Sequence, residues 1–257
     1  MSKDNCQISE KAQWLRLTLL ADELENYKRI IQLERNDIDA WNQLLRHTRN
    51  VFITLHNVSE ELRHIHFAET ELVEKKRSFV KKLKFASHVR NKGVGHLNPT
   101  MSERAVQWMP QLFTKEVVPE DSSLRLFEAQ RAVIESCLNS FVDENGRQKQ
   151  FGREIDLLYP PNSSEFFGYM ESTVDEPLSL FSAVLSKLDA AIVRRSGAHA
   201  TELYAVAGKT EFDLNKGTDV GYSQAEAAEN FANTIAAMEQ MGVDEKAMAL
   251  LRVLQKS

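Results

Sequence analysis

Trp14, Leu17, Leu20, Ala21, Leu24, Tyr27 and Ile31 recur at intervals of three and four residues. On an α-helix that spacing gathers them on one side, so the stretch opening near Ser9-Glu10 predicts a helix of about six or seven turns with one apolar face. A stripe of that length has to be covered by other helices. Prolines and glycines number only 6 and 10 in 257 residues, so little breaks the helical pattern, and Leu, Ala, Glu, Lys, Gln and Arg favour it. The expected fold is all-α: an antiparallel bundle of long helices with a smaller helical C-terminal region.

Asn36-Asp37 interrupts the first pattern, and either residue can cap the next helix. The second pattern runs from Ile38 through Trp41, Leu45, Thr48, Phe52, Leu55, Leu62 and Ile65. A third opens near Glu69 and carries Leu72, Phe79, Leu83 and Ala86. Asn98-Pro99 marks a turn, because the residue before proline avoids the helical region. Ser102-Glu103 then predicts a helix start, and Pro110 its end. A further helix is expected from Asp121-Ser122-Ser123 to a stop at Asn145-Gly146. Tyr159 to Ser164 reads as a loop, Phe166-Phe167-Gly168-Tyr169 as an aromatic patch on the core, and Pro177 as the start of a helix reaching Gly197. Leu203 and Val206 suggest another helix, Gly208 to Tyr222 a loop, and Ser223 the cap of a last helical pair. These readings divide the chain into a helical domain at 1–146 and a C-terminal helical region at 147–257. The second has no catalytic signature and suits packing or a protein partner.

Composition narrows the functional classes. A net charge of -5 argues against general coating of nucleic acid, while leaving room for a local basic patch. Two cysteines, Cys6 and Cys137, make no disulfide framework. The polar start and the lack of a long apolar run predict a cytoplasmic protein with no membrane span. His64-x-His66 lacks neighbouring cysteines and matches no strong zinc spacing, so no metal or other cofactor is expected.

The third helix is strongly basic. Lys75, Lys76, Arg77, Lys81, Lys82, Lys84, Arg90 and Lys92 follow one another with no acid between Glu74 and Glu103. Such a run is either a solvated face or a surface that tracks phosphates. Arg90 lies four, seven and eleven residues after Ala86, Leu83 and Phe79, which places it on the packed side. An arginine there needs a partner, a cleft or a second subunit. In an unbroken helix His96 would point about 120° away from Arg90. Gly93 and Gly95 allow the backbone to bend, and either such a bend or two copies meeting across a dimer would bring the two onto one phosphate. His88, two residues before Arg90, falls about 200° round the helix and is a weaker candidate.

Arginine and histidine together suit RNA cleavage by the 2′-hydroxyl. The histidine moves protons near neutral pH, and the arginine holds charge on the phosphate. Asn91 can bind phosphate or orient the histidine, and Lys92, Lys84 and Lys81 are candidate RNA contacts.

Arg90-Asn91-Lys92-Gly93-Val94-Gly95-His96 resembles the signature of the HEPN superfamily. That signature is an arginine, a polar residue directly after it, and a histidine after four to six intervening positions. Val89 before it, Leu97-Asn98 after it and the long helices around it add to the likeness. The resemblance implies a metal-independent endoribonuclease with Arg90 and His96 as the catalytic pair and Asn91 in support. It also implies a homodimer with a shared cleft and a toxin or phage-defence role. The alternative expectation is a non-catalytic helical module that binds RNA, a nucleotide or a protein partner.

Overall fold

α1 (Lys3–Ile31) buries the stripe that the spacing predicts: Leu17, Leu20, Leu24, Tyr27 and Ile31 are all buried. The computed structural model of the chain describes residues 3–96, 98–114, 122–193, 207, 210, 224–244 and 248. α1 begins six residues before Ser9. Asp37 ends the short connection after it, accepting a hydrogen bond from the Ala40 amide at 2.7 Å and so capping α2 (Ile38–His64). α3 (Thr70–Val89) continues into a π-helical turn, Arg90–Val94. α4 (Pro99–Trp108), a 3₁₀ turn (Pro110–Phe113), α5 (Ser122–Asn139) and α6 (Pro160–Ala191) follow. Among the described residues there is no strand, only one bridge between Val142 and Gln148. The fold is all-α.

Polar pairs fix how the long helices run. Tyr27 meets Thr48, Glu23 meets Thr54 and Arg16 meets Glu61, so α1 and α2 are antiparallel. His56 meets Ser87 and the Ile65 carbonyl meets Lys76, so α2 and α3 are antiparallel too. α6 closes the ring. It pairs Asp189 with Trp14 and Asp175 with Lys28 on α1, and Lys187 with Glu69 and Glu176 with Lys82 on α3. α1, α2, α3 and α6 therefore form a four-helix bundle, with α5 packed on the outer side of α2 and α4 on α5. Phe85 stands at the centre of an aromatic cluster. Its ring lies 6.1 Å from Phe52, 5.3 Å from Phe141, 5.7 Å from Phe151 and 5.6 Å from Tyr169.

This arrangement moves the expected boundary. The first compact unit spans residues 1–192 and the second 193–257, not 1–146 and 147–257. Without α6 the bundle would lack its fourth side and leave α1 half covered. Pro160 and Pro161 do not form a loop. They occupy the first turn of α6, where a missing amide costs nothing. Pro177 sits inside α6 rather than at a helix start. The helix continues past it because Leu180, Phe181 and Leu188 are buried on the bundle. α4 starts at Pro99, not Ser102, because Asn98 caps it by accepting from the Thr100 amide at 2.9 Å. α5 stops at Asn139, and Asn145-Gly146 forms the tip of the bridged turn.

In the second unit, α7 (Gln224–Gln240) buries Ile235 beside Met248. The expected helix at Leu203 and Val206, the loop from Gly208 to Tyr222 apart from Thr210, and the Ser223 cap lie outside the described residues. Among the described residues, no helix is long and apolar enough to cross a membrane.

Candidate functional site

The end of α3 widens into a π turn. The Gly95 amide donates to the Arg90 carbonyl at 3.0 Å, a bond spanning five residues instead of four. That bond joins Gly95 to Arg90, and His96 is the next residue. In an α-helix Val94 would take that place. The turn carries one residue more than an α-helical turn and is capped by Gly95, one position before His96.

The glycines act through contact, not through an unusual backbone. Gly95 has an ordinary helical conformation, with φ −77° and ψ −27°. A Cβ on Gly95 would sit 2.9 Å from the Arg90 carbonyl oxygen and 3.2 Å from Arg90 Nε. The Arg90 side chain folds back across this gap. A Cβ on Gly93 would sit 2.7 Å from Cys137 Sγ, so Gly93 lets the π turn press against α5. The bend expected from glycine flexibility is instead a close approach at both positions.

Arg90 is half-buried, and its Nη1 donates to Asn91 Oδ1 at 2.9 Å. Its Nε is buried and has no acceptor among the described residues. His96, Asn91 and Lys92 are exposed. Beyond His96 the chain is held by the Asn98 cap and, at the far end of α4, by Trp108 Nε1 donating to Glu135 Oε2 at 2.6 Å. Glu135 is fully buried and also accepts from Arg131 Nε and the Leu157 amide. The histidine is therefore suspended between two anchored elements.

The lysines divide into two groups. Lys75, Lys76 and Lys82 bond to Ser179, the Ile65 carbonyl and Glu176, so they serve the bundle. Lys81, Lys84 and Lys92 are exposed and bond to nothing among the described residues. Lys81 lies nine residues before Arg90, about 180° round the helix and roughly 13 Å along it. It lines a separate groove with Phe67, Val73 and Val80. The structure thus joins Arg90 to Asn91, leaves Lys92 and His96 exposed on the same stretch, and sets Lys81 apart.

His88 is occupied elsewhere. Its Nε2 donates to Ser140 Oγ at 2.9 Å, while that hydroxyl donates to the Cys137 carbonyl. Burial first, and then the charge of Lys92, hold its pKa below the usual histidine value. His64 and His66 are exposed, and no group of three or more metal-binding side chains occurs among the described residues.

One basic residue near this turn escaped the sequence reading. Arg49, on α2, lies two turns before His56 and on the same face. Its Nε is buried without an acceptor. Only the pairing of α2 with α3 places it level with the π turn, since no local motif surrounds it. Comparison of the chain with family models, with curated proteins and with solved structures finds no match.

Proposed function

We propose that this protein is a metal-independent endoribonuclease of HEPN type, acting as a cytoplasmic homodimer in a toxin or phage-defence role. The observation that carries the reading is the π turn. It bonds Gly95, the residue before His96, to Arg90, whose buried Nε has no acceptor among the described residues. A phosphate oxygen is a fitting acceptor for such a group, and Arg90 is already steered by Asn91.

In this reading the RNA 2′-oxygen attacks the adjacent phosphorus while His96 takes its proton. Arg90 balances the charge that builds on the phosphate. The bond from phosphorus to the 5′-oxygen breaks, and that oxygen receives a proton. One histidine cannot give and take protons in the same step, so His96 of a second copy supplies it. The products are a 2′,3′-cyclic phosphate and a 5′-hydroxyl. The homodimer follows from this need for two acid–base groups.

Incubating purified protein with RNA in the presence of a chelator tests the proposal. Cyclic-phosphate ends should appear with the wild type and vanish with Arg90→Ala or His96→Ala, both still folded. Cleavage that survives both substitutions removes the assignment.

A second reading is a non-catalytic RNA-binding module. It is favoured by the His96 ring, which has no hydrogen-bonding partner among the described residues to orient it. Under that reading RNA binds and no product forms. The C-terminal unit would then serve as the surface for a protein partner.

A further inference from the structure

Arg49 enters the neighbourhood of the motif from a different helix. His56 Nδ1 and Ser87 Oγ are 3.1 Å apart and set the register of the antiparallel α2 and α3. Seven residues back along α2 is Arg49, and seven residues on from Ser87 is Val94, the last residue of the π turn. Arg90 is opposite Ile53, so Arg49 lies only one turn, roughly 6 Å, beyond its level. Two independent facts agree with this placement. α2 packs against the π turn. The Arg49 charge also acts on the Cys137 thiol, the group that Gly93 of the π turn presses against.

Arg49 is half-buried and makes no ion pair or hydrogen bond among the described residues. Arg90 likewise pairs with no carboxylate among the described residues. Each of the two guanidinium groups keeps a buried Nε without an acceptor among the described residues. Leaving such donors unpaired is costly, and an anion lying between the two removes both penalties. Guanidinium forks match the oxygens of a phosphodiester. Arg46, one turn before Arg49, is exposed and extends the basic face of α2.

We infer that Arg49 is a second phosphate-binding residue of this site, holding an RNA phosphodiester jointly with Arg90 at the edge where α2 packs against the π turn. The inference rests on the reading that RNA occupies the site, but not on its being cut.

The test measures binding of a short, fully 2′-O-methylated RNA oligonucleotide, which has no nucleophile, by fluorescence anisotropy over a salt series. Arg49→Ala should weaken binding about tenfold and flatten the slope of log affinity against log salt by about 0.7, one phosphate contact on a single strand. Arg49→Lys should keep the slope and lose part of the affinity, because it keeps charge without the fork. A merely structural role would not move the slope. Where Arg49→Ala unfolds, as read by circular dichroism, Arg49→Gln carries the same test. Unchanged affinity and slope in a folded Arg49 variant overturn the inference, even if wild-type protein cleaves ordinary RNA. Wild-type binding without cleavage sinks the nuclease reading and leaves Arg49 standing. A wild type that does not bind the oligonucleotide sinks both.

Discussion

The Arg90 carbonyl and the Gly95 amide are joined at 3.0 Å, and the Arg90 side chain crosses the space where a Gly95 side chain would begin. Gly95→Ala therefore strikes the backbone oxygen of Arg90 at 2.9 Å, which cannot swing aside as a side-chain tip can. The turn has to open, at a cost of about 1–3 kcal/mol. The expected outcome is a modest fall in Tm with at least a tenfold loss of RNA cleavage or binding. Equal activity at equal Tm would mean that the arginine's fold-back is not what the site uses.

Gly93 faces a different obstacle, the sulfur of Cys137 at 2.7 Å from its missing Cβ. The thiol is buried and its pKa is pushed up to about 12 by that burial, so it acts as a small apolar group. Gly93→Ala should destabilise by about 1–3 kcal/mol through crowding. Cys137→Ala opens the same space. In the double variant the Gly93 penalty should shrink by at least half, a coupling that denaturant unfolding of all four forms reads directly. Additive losses would show that the two groups do not meet.

Phe85 and Glu135 hold the framework by opposite means. Phe85 packs four rings around one buried side chain, and Phe85→Ala should cost about 3–5 kcal/mol. Glu135 answers Arg131, Trp108 and the Leu157 amide from a fully buried position. Glu135→Ala leaves Arg131 buried with its remaining partners Glu128 and Asp156 at its edge, and should also cost about 3–5 kcal/mol. Urea unfolding of both variants checks these values. A Glu135→Ala cost below about 1 kcal/mol would mean that water reaches Arg131.

Much of the fold was legible because apolar spacing reports burial directly. The stripe from Leu17 to Ile31 and the run Phe79, Leu83 and Ala86 are buried as the pattern requires. Proline misled in one direction only. Pro160 and Pro177 carry the usual marks of a loop and a helix start, yet burial along α6 outweighs one lost backbone bond. The domain boundary failed for the same reason, since nothing local tells a fourth bundle helix from a separate module. At the site, Arg90 and His96 stood out by residue type and spacing. The π turn did not, because it depends on Gly93 meeting Cys137, forty-four positions later in the chain. Arg49 was invisible for a related reason: its relevance comes from the register of α2 on α3.

His88 gives the fold a pH response whose sign follows from its surroundings. Desolvation, with Lys92 adding to it, holds its folded pKa below the value of 6.5 that applies in the unfolded chain. Between those two values the unfolded chain takes up a proton that the native chain refuses. The stability contribution is therefore complete above about pH 6.5 and is lost as pH falls through the folded pKa. Wild-type Tm should decline over that window. His88→Gln, which can still donate to Ser140, should decline less, so the two curves converge as the solution is acidified. Lys92→Met removes the second cause and should flatten the wild-type decline in part. Parallel curves for wild type and His88→Gln would show that the imidazole is as free to protonate in the native protein as in the unfolded chain.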